Sequence, residues 1–345
     1  MESVKIKKLA EILHLSISTV SKALGDSYEI SITTKEKVFL LAKELKYHPN
    51  PYASSLRKNK SKTIAVVIPT ITNSFFTLAI NGIESVAREN NYHVLIYLTH
   101  DDASKEVAFV EDLHNGRVDG MLISLSSSTT DFSHLEELQR KELPIVFFDR
   151  ISENLNTASV TTDDYQSGYN ATQHLIDQDC KRIAHLMISK NLSIGSKRMK
   201  GYLDALRDNH ILFDESLLIQ CTNVVETNYK LLEKLLKSKN RPDGIFAAVE
   251  NYAILCYQVC RDLNLNIPDD IKVISFSNLE TASFLNPSLT TIVQPAFEIG
   301  RKSASLLIKA LEKKPFQLKN ENFVFKSILE QRNSTRKKIQ LKPED

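Results

Sequence analysis

Ser16-Ile17-Ser18-Thr19-Val20-Ser21-Lys22-Ala23-Leu24 carries the helix pattern around which the first sixty residues are organised. Ser16 can accept hydrogen bonds from the free N–H groups that open a helix, so the spacing predicts a helix capped there. Val20 and Leu24, one turn apart, pack inward, while Ile17, Ser18, Ser21 and Lys22 share the outward face. Upstream, Ile6, Leu9, Ala10 and Leu13 follow the i, i+3, i+4, i+7 spacing of one buried stripe, which His14-Leu15-Ser16 interrupts. Downstream, Thr33-x-x-Glu36 fits a capping box, and a third helix starting near Thr33 would bury Val38, Leu41, Ala42 and Leu45. Two short helices joined by a tight turn and braced by a third form a helix-turn-helix. The second helix is slim and polar outside, as a helix lying in the ~12 Å major groove must be. A three-helix bundle that only packs would show the same periodicity, so the sequence that follows has to separate the two.

Tyr47-His48-Pro49-Asn50-Pro51 breaks the third helix, because each proline lacks an N–H and restricts its predecessor. Pro51 is well placed as the first residue of a short helix from Tyr52 to Lys58. Arg57, Lys58, Lys60 and Lys62 then bring four positive charges together. So short a helix is not stable alone in water and needs a partner to order it; a basic one suits DNA. The whole chain of 345 residues has a formal charge of only +2, which hides a division. Residues 1–62 carry +6, residues 63–331 carry −7, and the last fourteen carry +3. Asymmetry of this kind joins a basic module to an acidic body.

From residue 63 short apolar runs alternate with helical stretches. Strands are expected at Ile64–Pro69, His93–Leu98, Gly120–Leu125, Pro144–Asp149, Arg182–Ile188, Gly244–Val249 and Lys272–Phe276. Most are continuous Val, Ile, Leu and Phe, as parallel strands buried on both faces require. Amphipathic helices between them, for example Phe76–Asn90, make the body α/β with parallel sheets. Its length allows two lobes, with crossings expected after Asp149 and near Gln294-Pro295.

The run Ile6-Lys7-Lys8-Leu9-Ala10 with Ser16 to Leu24 resembles the head of lac-repressor-type transcription regulators, the LacI/GalR family. Tyr47-His48-Pro49-Asn50, Ala53 and Ser55-Leu56-Arg57, followed by Lys62-Thr63-Ile64-Ala65-Val66, resemble that family's hinge and first core strand. Further markers include Phe147-Phe148-Asp149-Arg150, Arg198-x-x-Gly201-Tyr202 and Leu289-Thr290-Thr291-Ile292-x-Gln294-Pro295, so that the resemblance spans residues 4–332.

The resemblance implies an all-α helix-turn-helix head over 1–49, a hinge helix and linker over 50–62, a two-lobed α/β body of periplasmic-binding-protein type over 63–332 and a basic tail over 333–345. It implies a homodimer on a near-palindromic double-stranded DNA operator, controlled by a small-molecule effector. Ser16, Ile17, Ser18, Thr19, Ser21 and Lys22 would meet DNA, with Tyr47 and Asn50 as phosphate anchors and Ala53, Leu56 and Arg57 from the hinge. Leu56 matches the apolar wedge that opens a central base step. Lys22 stands where the family usually has Arg, which puts bidentate reading of guanine in doubt. His14 replaces a Gly in the turn, and Lys5 and Lys8 replace Thr and Asp.

For the effector, the resemblance points to Asn73, Phe75, Asp149, Arg198 and Ser277. Arg198 either grips the effector or forms an inter-lobe ion pair with Asp149. Where the family commonly reads Ala-Asn-Asp this chain has Ala248-Val249-Glu250, and where it reads Gly-Phe-Asp-Asp this chain has Ser275-Phe276-Ser277-Asn278. Ser277 lacks the carboxylate that often clamps sugar hydroxyls, so a sugar stays open beside a neutral or anionic ligand.

The expected role is repression, with activation, or tuning by a protein partner, left open. No enzyme signature competes: there is no P-loop, no G-x-S-x-G elbow and no H-E-x-x-H helix. Asp101-Asp102 and Asp163-Asp164 read as strand-end or turn features rather than acid/base pairs, and the nine histidines form no metal-ligand cluster. No cofactor is implied. A solute-binding protein of the same body would carry a signal peptide and no basic head; the charged start and the absence of a long apolar run instead favour a cytoplasmic protein without membrane contact.

Overall fold

The computed structural model describes residues 5–47, 61–113, 117–313 and 316–337. The chain divides into two compact units, Met1–Ser61 and Lys62–Asp345.

In the first unit, α1 (Ile6–Ile12), α2 (Ile17–Leu24) and α3 (Ile32–Glu44) enclose Leu9, Ala10, Val20, Ala23, Val38 and Ala42. Ser16 caps α2 as its position predicts, accepting from the Thr19 N–H at 3.0 Å. The capping box expected at Thr33 is not formed. Ser31 caps α3 instead, accepting from the Thr34 N–H at 3.3 Å. The helix thereby starts at Ile32, one residue before Thr33, because a serine in extended conformation was available upstream. His14 has φ 53°, the left-handed region that glycine occupies at least cost. The turn is therefore kept, with its strain carried by a histidine.

The second unit holds two six-stranded sheets, and each strand's alternate residues face opposite helix layers. One sheet runs β11-β5-β4-β3-β1-β2 and the other β12-β10-β9-β8-β6-β7. In the first lobe the strands are β1 (Thr63–Ile68), β2 (His93–Leu98), β3 (Gly120–Ile123), β4 (Ile145–Phe148), β5 (Ala158–Thr162) and β11 (Asn322–Phe325). All neighbours in this sheet are parallel. Ile64, Val66, Ile68, Leu122, Val146 and Phe148 pack under α4 (Ser74–Glu89) and α11 (Ala296–Glu312). Ala65, Val67, Met121, Ile123, Ile145 and Phe147 pack under α5 (Ala103–Leu113) and α6 (Ser133–Arg140).

The second lobe contains β6 (Ile183–Met187), β7 (Leu218–Gln220), β8 (Gly244–Ala247), β9 (Lys272–Phe276), β10 (Thr290–Val293) and β12 (Ile328–Glu330). Only β12 runs antiparallel to its neighbour. One face carries α9 (Val225–Lys237) and α10 (Glu250–Asp262); the other carries α7 (Asp164–Asp177) and α8 (Ser193–Asp208).

Each lobe has one pair of helices in backbone contact. A Cβ on Gly300 of α11 would stand 2.0 Å from the Ala79 carbonyl oxygen of α4, and one on Gly201 of α8 would stand 2.2 Å from the Tyr165 oxygen of α7. Glycine is required at both crossings because no side chain fits between the axes.

The first passage between lobes lies after β5, not after Asp149. The short run Ala158–Thr162, too polar to stand out as a strand, still pairs with β4 and β11 in the first sheet. The second passage falls at Gln294-Pro295 as expected, and a third separates β11 from β12. Asn333–Thr335, assigned by the sequence to a basic tail, form a 3-10 turn of the second lobe. Ser334 is fully buried and bonds the Thr290 N–H and the Val273 carbonyl at 2.8 and 2.6 Å.

His14→Gly should stabilise the first unit by about 1 kcal/mol by relieving the left-handed residue. Urea unfolding of the 1–61 transition checks this; an unchanged or lower midpoint would mean that the histidine side chain compensates for its backbone.

Candidate functional site: an inter-lobe cleft and a polar-faced helix

The cleft is built where the parallel strands end. Pro69 to Asn73 follow β1, Asp149 and Arg150 follow β4, Ala248 to Glu250 follow β8, Ser277 and Asn278 follow β9, and Gln294 follows β10. Carboxyl ends of parallel strands are where open α/β sheets place ligands, since the connecting loops and helix N-termini converge there.

All five residues that the sequence assigns to the effector line one cavity. Asn73, Phe75, Asp149, Arg198 and Ser277 share it with Phe76, Arg150, Ile194, Val249, Glu250, Phe276, Asn278 and Gln294. Its volume is about 30 Å³, room for about one water. Asn73, Phe76, Arg150 and Val249 also line a neighbouring outer chamber of about 590 Å³. That chamber mixes neutral polar groups, among them Thr70, Thr72, Ser127, Gln220, Asn223 and Gln258, with apolar side chains such as Ile188, Leu192 and Ile254 and the charged Asp101 and Arg150. A volume of this size falls in the range of small-molecule pockets.

Arg198 is fixed from three sides. Its Nε and Nη2 each stand 2.8 Å from Asp164 Oδ1, its Nη1 donates to the Ala248 carbonyl at 2.6 Å, and the guanidinium lies 3.6 Å from the Phe276 ring centroid. The inter-lobe pair with Asp149 considered from the sequence is not formed; the partner is the first residue of α7, in the same lobe. Asp164 thus does more than mark a strand end: it neutralises a cation that is 2 % exposed. Beneath Arg198, His185 stacks on Phe246 at 4.3 Å between ring centroids, and its Nδ1 lies 3.1 Å from the Phe246 carbonyl oxygen. Burial pushes its pKa down to about 4, which keeps the ring neutral under a fixed positive charge.

Asp149 sits across the cavity at φ 59°, with Oδ2 3.5 Å from Ser124 Oγ and 3.9 Å from Arg150 Nε. Loss of solvation outweighs the pull of Arg150 and Arg198, and the carboxyl is raised to about 6. Arg150 is meanwhile held by Asp101, Nη1 to Oδ1 at 2.5 Å. Asn73 uses its side chain to cap α4, accepting from the Phe75 N–H at 2.9 Å. Ser277 donates to Glu250 Oε2 at 3.0 Å, and Glu250 Oε1 accepts from the Ser74 N–H of the opposite lobe at 2.7 Å. The sequence marked Glu250 as a departure but gave no sign of this reach. Most of the outer chamber's remaining lining, for example Gln220, Thr222, Asn223 and Gln258, carried no motif.

In the first unit Ile17, Ser18 and Lys22 are exposed on α2, with Thr19 and Ser21 half-buried. Ser16 is committed to the cap, and its Oγ also lies 2.7 and 2.8 Å from the hydroxyls of Ser18 and Thr19. Lys22 pairs with Glu29. Tyr47 packs half-buried against the three-helix core. Asn50, Ala53, Leu56 and Arg57 lie outside the described residues.

A capped helix with an exposed polar face on a three-helix unit, and a two-lobed body whose strand ends enclose a polar cleft, define a helix-turn-helix protein with a ligand-binding body. Two family models match. Residues 5–50 match the bacterial regulatory proteins of the lacI family, and residues 61–327 match the periplasmic binding proteins and sugar binding domain of the LacI family. The chain belongs to the LacI family of DNA-binding transcription regulators. It is 30% identical over 312 residues to catabolite control protein A of Priestia megaterium, covering 90% of this chain and 93% of that one. It is 32% identical over 331 residues to the HTH-type transcriptional regulator RegA of Clostridium saccharobutylicum, covering 96% and 98%. In fold it matches the lac repressor dimer bound to operator and an anti-inducer, with TM-score 0.83, 21% identity and coverage of 97% and 99%. The two sequence relatives are regulators and not enzymes by name. Among the described residues no helix is long and apolar enough to cross a membrane, and no cluster of metal ligands occurs.

The Asp149 carboxyl has a direct pH signature. Its pKa is raised in the fold, to about 6 from an ordinary 3.8, so the buried group costs nothing below about pH 4 and its full penalty is present above pH 6. Asp149→Asn should therefore gain stability relative to wild type as pH rises from 4 to 6, by about 3 kcal/mol across that window. Denaturant unfolding at several pH values checks this; a difference that stays flat would show that the fold does not raise the Asp149 pKa.

Proposed function

We propose that this chain is a sequence-specific repressor that binds a near-palindromic operator as a homodimer and changes affinity when a small molecule enters the inter-lobe cleft. The observation that carries the reading is the joining of α2, with its exposed Ile17, Ser18 and Lys22, to a cleft lined from the strand ends of both lobes. The matched family model is a sugar binding domain, which supports a sugar or sugar derivative as effector. The neutral hydroxyl and amide groups within the outer chamber's lining support the same class.

Roles follow from position. Ile17, Ser18, Thr19, Ser21 and Lys22 face the major groove, with Lys22 exchanging Glu29 for phosphate or a base edge. Ser16 shapes the helix start, and Tyr47 and Asn50 set register on phosphate. Leu56 is the minor-groove wedge, supported by Ala53 and Arg57. In the cleft, Asp149 and Arg198 fix the inner wall, and Asn73, Phe75 and Ser277 shape it. The edge strand β2 leaves Leu95 and Ile96 about two-fifths exposed, which supports a second copy of the chain as partner.

Binding of the full chain to duplex DNA should weaken steeply with salt, at about 0.9 in log–log slope for each phosphate neutralised. Lys22→Ala should reduce that slope by about 1 for each head engaged. A salt-independent affinity would remove the head from DNA binding. A thermal-shift screen of sugars, sugar acids and nucleosides should yield a ligand worth about 2.7 kcal/mol at a hundredfold excess over its Kd. Asp149→Ala should abolish that shift, and a full shift in the variant would place the ligand elsewhere.

A further inference from the structure

The family pattern puts an aspartate where this chain has Ser277, and an aspartate one methylene shorter where it has Glu250. Taken from the sequence, the first change removes a negative charge from the cleft. In the structure that charge has moved. Glu250 opens α10 at the end of β8 and is 4 % exposed. One of its oxygens accepts from Ser277 Oγ at 3.0 Å; the other crosses to the first lobe and accepts from the Ser74 N–H at 2.7 Å.

That second contact has a defined physical basis. Ser74 is the first residue of the sixteen-residue helix α4, so its N–H has no acceptor within the helix. The Asn73 side chain serves the next N–H, that of Phe75, and leaves Ser74 for another partner. A carboxylate there meets both a free donor and the positive end of the helix dipole. An aspartate at 250 would be one methylene short of spanning the two lobes, and an aspartate at 277 would set two carboxylates face to face.

We propose that Glu250 is an internal clasp: its carboxylate occupies the N-terminus of α4 and the Ser277 hydroxyl at the inner end of the cleft, and so helps to hold the two lobes together without a ligand, beside the rim contacts of Ile151 with Ser193 and Glu153 with Lys197. The inner cavity of about 30 Å³ is what the clasp leaves. A ligand's carboxylate or phosphate has no place at that end unless it displaces Glu250. An effector that engages the inner wall therefore has to displace Glu250, whereas the outer chamber of about 590 Å³ is accessible with the clasp closed. The ligand-facing consequence rests on the cleft being the effector site, whereas the clasp itself is a property of the free chain.

Amide hydrogen exchange of the full-length, ligand-free protein tests it, with Ser74 as reporter and Phe75, capped by Asn73, as internal control. Glu250→Asp keeps the charge and shortens the reach; Ser277→Asp keeps Glu250 and repels it. Both should speed Ser74 exchange by about tenfold or more, as loss of a charge-assisted bond predicts. Phe75 should change little in either, and the scattering radius should increase as the lobes part. Unchanged Ser74 exchange in both variants, with Phe75 still protected, would overturn the clasp. Since no ligand or DNA is present, that result would leave the effector reading standing, and an empty ligand screen would leave the clasp standing.

Discussion

The Arg198 guanidinium, buried against Asp164, the Ala248 carbonyl and the Phe276 ring, is the interaction on which the cleft depends. It ties the start of α7, the middle of α8 and the ends of β8 and β9 into one corner. The Gly168 and Gly201 positions bring α7 and α8 close enough for this: a Cβ on Gly168 would lie 2.6 Å from the Arg198 carbonyl oxygen itself. A buried pair of this kind gains little over an apolar filling, but losing one partner leaves an uncompensated charge and costs about 3–5 kcal/mol. The arginine therefore fixes the second lobe's wall first, and meets a ligand only with the edge it turns to the cavity.

Opposite this fixed wall, the first lobe presents groups that can change state. Asp149 holds its proton to higher pH than an exposed aspartate, and Ser74 offers a donor that the protein's own Glu250 fills. With the proposed clasp the cleft would have two positions, latched and open, and a ligand would shift their balance only through its different affinity for each. Coupling of about 1–3 kcal/mol is typical for such linkage and is enough to change DNA affinity by a factor of about 5–150. The chain's charge division serves the same end. The +6 segment at residues 1–62 attracts phosphate, while the −7 body has no electrostatic reason to approach it.

Much of this was legible in the residues. Strands with nearly continuous apolar runs, such as His93–Leu98 and Lys272–Phe276, were readable to the residue, although only the second is buried on both faces and the first is a partly exposed edge strand. β5 was not, because Ala158-Ser159-Val160-Thr161-Thr162 buries hydroxyls that the sheet and its neighbours satisfy, as Ser159 does with Asn322 at 2.7 Å. Its loss displaced the first lobe crossing. Ser31 won the cap of α3 over Thr33 because either residue can cap and only the backbone conformation decides. The five cleft residues were found through resemblance, yet their partners were not. Which of Asp149 and Asp164 meets Arg198 is a question of helix geometry, and the span from Glu250 to Ser74 joins residues 176 positions apart.

On the function proposed above, a two-fold symmetric DNA reader is governed by this cleft. Selection of bound duplexes from a random DNA pool by the purified full-length chain tests it most directly, repeated with the ligand that a thermal-shift screen returns. Enrichment of a near-palindrome with a flexible pyrimidine–purine step at its centre, and a changed yield of that same sequence with ligand, is the predicted result. Recovery of unenriched sequences, or of one site whose yield is indifferent to a ligand that demonstrably binds the cleft, would contradict it.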